Sequence, residues 1–101
     1  MKDVQVELPA NLCRLAKIDE PVVQLAVAEP VTQRSVLDAL EAKLPSLLGT
    51  VRDHGTQQRR AYLRFFACCE DISHRSMDEP LPSPVADGLE PLLIIGAVSG
   101  G

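Results

Sequence analysis

The sequence predicts an α+β fold in which one mixed sheet packs on one main helix. Three observations carry that expectation. The chain begins with clean period-two alternation, it holds one capped amphipathic helix near its middle, and it approaches its end with a run of apolar residues. The 101 residues amount to one domain's worth of chain, 46% of them hydrophobic, which argues against intrinsic disorder.

Val4, Val6 and Leu8 alternate with Asp3, Gln5 and Glu7, the pattern of a strand with one buried and one wet face. Pro9 ends it. The stretch from Asn11 to Ile18 has no decisive period, and Asp19, Glu20 and Pro21 mark a turn. Val23, Leu25 and Val27, alternating with Gln24, Ala26 and Ala28, predict a second strand antiparallel to the first. Thr32 is a suitable N-cap, with Val31 and Val36 at the spacing of a hydrophobic staple. Val36, Leu37, Leu40 and Leu44 form the helix stripe, Arg34, Asp38 and Glu41 face away, and Pro45 stops the helix. Gly49 to Arg60 reads as an exposed loop. Ala61 to Cys69 reads as a third strand, with Leu63, Phe65 and Ala67 on one face and Arg64, Phe66 and Cys68 on the other. A proline-bearing irregular region follows, then the Asp87-Gly88 turn and a final strand from Leu92 to Val98. That strand lacks alternation, which predicts a central position beside the first strand with both faces covered. The order strand, strand, helix, strand, irregular region, strand is that of the β-grasp, or ubiquitin-like, architecture. The expected organisation is a single domain over 1–101 with a flexible Gly-Gly tail at 99–101.

Composition narrows the function. Ten Lys and Arg against 14 Asp and Glu give a net charge of −4, a poor match to phosphate backbones, so no nucleic-acid partner is expected. The longest apolar run, Leu92 to Val98, is far below the roughly 20 residues of a membrane span, and no signal peptide is visible. Three cysteines are no disulfide framework. These features together predict a reduced, cytoplasmic protein with no membrane partner.

There is no Gly-rich phosphate loop, no GxSxG, no HExxH and no zinc spacing, so neither a catalytic nor a metal site is expected. A domain this small has little room for a deep substrate cavity. His54 and His74 read as solvated. Cys68 and Cys69, as consecutive strand residues, are expected to point to opposite faces, one buried as a small apolar residue and one exposed. Arg52, Arg59, Arg60 and Arg64 read as a solvated face, with docking of an acidic partner as the functional alternative. The exception is the end of the chain. Gly100 and Gly101 lack Cβ atoms, which leaves a thin segment and an unshielded carbonyl. Such a segment can enter another protein's active site, where ATP converts the carboxylate into an acyl-adenylate open to a sulfur nucleophile. The bland alternative is a frayed terminus.

Asp87-Gly88-Leu89-Glu90, then Leu92-Leu93-Ile94-Ile95, then Ala97-Val98-Ser99-Gly100-Gly101 resemble the closing pattern of the MoaD/ThiS sulfur-carrier family. That family includes the molybdopterin synthase small subunit and the thiamine-pathway sulfur carrier. Phe66 to Ile72 resembles its third strand and following turn, and Val31 to Leu44 its helix. The chain departs from the pattern at Cys68-Cys69, where the family often has Asn-Gly, and at Gly96, where it tends to have Pro.

The resemblance implies a ubiquitin-like co-substrate with no catalytic base and no permanently bound cofactor. An E1-like adenylating enzyme would activate Gly101 with ATP and Mg. A sulfur donor of the cysteine desulfurase or rhodanese type would then yield a thiocarboxylate. An acceptor such as a molybdopterin synthase large subunit would take the sulfur. Gly100 and Gly101 would carry the chemistry, and Val98 and Ser99 would thread the partner's channel. Exposed apolar residues on the helix-free face would dock: Phe66 with Leu92 and Ile94, or with Leu93 and Ile95 at the other parity. The alternatives are a modifier forming isopeptide bonds through Gly101, a carrier for thiamine, cysteine or tRNA thiolation, and a plain interaction module.

Overall fold

The computed structural model describes residues 1–96. Val98, Ser99, Gly100 and Gly101, and with them the expected flexible tail at 99–101, lie outside the described residues.

β1 (Lys2–Glu7) and β2 (Val22–Val27) pair antiparallel, with Val4 opposite Leu25 and Val6 opposite Val23. All four point into the core. The undecided stretch between them folds as a helix, α1 (Ala10–Ala16), which buries Leu12. Lys17 ends it in the left-handed region at φ 57°, while Ile18 donates back to the Cys13 carbonyl at 3.1 Å.

α2 (Gln33–Lys43) begins where the cap signals place it. The Ser35 N–H donates to Thr32 Oγ1 at 3.0 Å, and the Thr32 N–H donates to Ser35 Oγ at 2.8 Å. Serine thus supplies the return half of a capping box. Val36, Leu37 and Leu40 are wholly buried, and a short 3₁₀ turn from Pro45 to Leu47 follows.

β3 (Leu63–Ala67), β4 (Glu70–Asp71), α3 (Ser83–Ala86) and β5 (Leu92–Gly96) complete the fold. The sheet order is β2-β1-β5-β3-β4, with β5 parallel to β1 and antiparallel to β3. The most apolar strand does lie beside the first, inside the sheet. This mixed five-stranded sheet with its main helix is a β-grasp.

Three expectations are corrected. β5 is covered on one face only. Leu92 and Ile94 are buried, Leu93 is half-buried and Ile95 is 41% exposed, because α2 provides just one helical layer. The segment from Gly49 to Arg60 is not a free loop, since Val51 and Arg52 are buried and Arg52 bridges Arg59. Glu41 does not face solvent. It is buried against Arg52, whose Nε and Nη2 donate to its two carboxylate oxygens at 3.0 and 2.9 Å.

The turn before β5 is tied to β1. Gly88 has φ +78°, Gln5 Nε2 donates to its carbonyl at 2.6 Å, and a Cβ there would lie 2.5 Å from the Asp3 carbonyl oxygen.

Candidate functional site: the outer face of the sheet

Pairing register settles which apolar residues share a face. Phe65 stands opposite Ile94, and both are buried, while Phe66 stands opposite Leu93, and both are half-buried on the helix-free side. Directly paired residues project to the same face. The expectation that Leu92 and Ile94 dock a partner is therefore overturned, because they are 0% and 2% exposed and belong to the core. The residues that accompany Phe66 are Leu93 and Ile95.

Ile95 lies opposite Arg64, whose Nη1 donates to Asp71 Oδ2 at 3.3 Å. The row therefore has a charged border. On the other side, Asp3, Gln5 and Glu7 bring polar groups to the outer face of β1. An apolar strip on β5 and β3 flanked by polar residues has the anatomy of a docking surface. At its lower end, Glu7, Leu8, Pro9, Leu93, Ile94 and Ile95 border a shallow groove of about 170 Å³. Ile95 of this groove is followed by Gly96, the last described residue of β5, and residues 97–101 come next in sequence. A larger open depression of about 520 Å³ lies between the ends of α1 and α2, lined in part by Lys17, Ile18, Lys43 and Leu44. It contains none of the residues expected to act.

Cys68 and Cys69 also differ from expectation. Both are exposed, because β3 ends at Ala67 and the pair forms the turn into β4, with φ of 52° and 67°. Partial desolvation, then the charges of Glu90, Cys69 and Glu70, push the Cys68 thiol above its ordinary pKa.

The arginine group is mostly structural. Arg52 is 3% exposed, Arg59 donates to the carbonyls of Ser73, Arg60 and Leu63, and Arg60 grips the Gly49 carbonyl through Nε and Nη2. Burial opposes the charge on Arg52, but the Glu41 and Asp38 carboxylates more than offset it and raise its pKa. Nothing in the local sequence marks Arg52 as buried, because its partners Glu41 and Asp38 come from α2. His54 and His74 are exposed, with Arg64 Nη1 3.2 Å from His74 Nε2. Among the described residues, no helix is long and apolar enough to cross a membrane.

No protein-family model and no curated protein matches the chain. The crystal structure of SAMP1 from Haloferax volcanii is similar in fold, with a TM-score of 0.73 and 22% identity over 98% of this chain and 99% of that one. A crystal structure of H. volcanii small archaeal modifier protein 1 gives a TM-score of 0.75 at 20% identity, covering 97% of this chain and all of the other. At that identity the likeness is one of fold, and it agrees with the strand order and helix packing in placing this chain among the ubiquitin-like β-grasp structures.

Proposed function

We propose that this chain is a ubiquitin-like carrier whose reacting group is the carboxylate of Gly101. The observation that carries this reading is the position of the apolar row Phe66, Leu93 and Ile95. Leu93 and Ile95 lie on β5, the strand that precedes Val98-Ser99-Gly100-Gly101 in sequence, and Phe66 stands beside Leu93 on β3. A partner seated on that row has the tail within reach of its own active site.

The chemistry follows from the carboxylate, a poor electrophile. An E1-like enzyme joins it to the AMP portion of ATP, assisted by Mg, with release of pyrophosphate. A persulfide donor then attacks the acyl-adenylate, AMP leaves, and reductive cleavage of the resulting acyl disulfide gives the thiocarboxylate. Gly100 and Gly101 leave the carbonyl unshielded, and Val98 and Ser99 lie in the partner's channel. This chain contributes no catalytic base to the cycle. The resemblance of its closing segment to the MoaD/ThiS pattern supports cytoplasmic sulfur delivery to an acceptor that builds the molybdopterin dithiolene. A second reading, isopeptide attachment of Gly101 to a lysine, is supported by the solved structures of similar fold being those of a modifier protein.

The test is reconstitution with an E1-like enzyme, ATP-Mg, a cysteine desulfurase and a reductant, followed by intact-mass analysis. Exchange of one oxygen for one sulfur, lost on deletion of Gly101, is the expected result. Sulfur transfer that survives the deletion overturns the proposal. Lysines of other proteins branched with this chain's C-terminal peptide through Gly101, which trypsin leaves as the whole segment after Arg75, identify the modifier reading.

A further inference from the structure

We propose that Cys68 and Cys69 form a two-thiol site for a single soft, low-coordinate cation of the Cu(I) class. The pair makes the two-residue turn between β3 and β4, with both side chains exposed and both backbones left-handed. Such a turn favours Asn-Gly or Gly-Gly, and a Cβ in the left-handed region is unfavourable. The turn therefore gives no reason for cysteine at either position. Cys13 differs, since it is half-buried and its thiol donates to the Leu8 carbonyl at 3.7 Å.

One two-residue turn thus carries two accessible thiols on adjacent residues. A direct bond between them is poorly matched, because neighbouring Cα atoms are about 3.8 Å apart, whereas disulfides usually span about 4.4–6.8 Å. A bridging ion relaxes that demand. Two metal–sulfur bonds of about 2.3 Å hold the sulfurs farther apart than the roughly 2.0 Å of a disulfide. Among the described residues, no group of three or more His, Cys, Asp or Glu is arranged to hold a metal. Tetrahedral zinc would lack protein ligands here, whereas a soft ion satisfied by two thiolates would not. Each binding event converts two thiols and one Cu(I) into a bis-thiolate complex and releases two protons.

The test titrates the reduced full chain anaerobically with Cu(I) against a chromogenic Cu(I) chelator. One ion per chain is expected, with two thiols protected from maleimide. Cys68→Ser and Cys69→Ser should each lower affinity at least about tenfold. The double variant Cys68→Asn/Cys69→Gly, which suits the turn and keeps the fold by circular dichroism, should not bind. Cys13→Ala should bind like the parent. Equal affinity in the single variants, one ion shared between two chains, or recovery of the pair only as a disulfide overturns the proposal.

Discussion

Arg52, from the connection after α2, grips Glu41 of that helix through Nε and Nη2, and both side chains are nearly inaccessible to solvent. Asp38 also accepts from Nη2, but its side chain is 61% exposed, and Nη1 has no partner among the described residues. The pair fastens the long connection onto the helix. Its energetic role is asymmetric: removing one partner strands the other charge, whereas replacing both does not. Arg52→Met should cost about 3 kcal/mol in urea unfolding, and Arg52→Met/Glu41→Leu should recover most of that loss. Asp38→Asn should have a much smaller effect.

A second prediction concerns the turn that feeds β5. At Gly88 any side chain meets both the left-handed φ of +78° and the Asp3 carbonyl oxygen, 2.5 Å from a Cβ position. Gly88→Ala should destabilise by about 2 kcal/mol. Gly96 is the control, since an added Cβ there finds nothing within 4 Å among the described residues, and Gly96→Ala should unfold at nearly the parent urea midpoint.

The elements that were legible in the sequence are those whose signals are local. Alternation around Val4 and Val23 gave β1 and β2, and Thr32 with its valines gave the start of α2. α1 is only seven residues long, buries Leu12 and ends on a left-handed Lys17, so no periodic stripe announced it. Cys68 and Cys69 hid a turn, because neither Gly nor Asn punctuates it. The lack of alternation in β5 correctly placed it inside the sheet, but for the wrong cause: one side of the strand is core and the other is an uncovered apolar row. The choice between Leu92 with Ile94 and Leu93 with Ile95 needed the register against Phe66, which is a tertiary fact. So was the Arg52–Glu41 pair.

Acid should weaken the fold through three aspartates. The Thr56 and Gly55 N–H groups hold the Asp53 carboxyl below the ordinary range, the Ser73 hydroxyl and N–H do so for Asp71, and Arg34 does so for Asp78. Their folded pKa values lie below the unfolded value of about 3.9. The stability they add is therefore complete above that pH and is lost as pH falls through the folded values. Urea midpoints should be flat near neutrality and drop below about pH 4. Asp71→Asn should lower the plateau and make the acid limb shallower.

The last prediction separates the two faces of β5. Ile94 is 2% exposed beside Phe65, so Ile94→Ala removes core and should cost about 3 kcal/mol. Ile95, one residue on, is 41% exposed. Ile95→Ser should shift stability by less than about 1 kcal/mol. Binding should reverse the ranking. If an activating enzyme seats on the outer row, Ile95→Ser and Phe66→Ser should each weaken its affinity at least about tenfold. Ile94→Ala, measured where it remains folded, should bind like the parent. The comparison requires calorimetric titration of the activating enzyme alongside urea unfolding of each variant. Equal losses of binding at Ile94 and Ile95 would mean that the partner reads overall integrity of the sheet, and the outer row would then have no claim to be the docking surface.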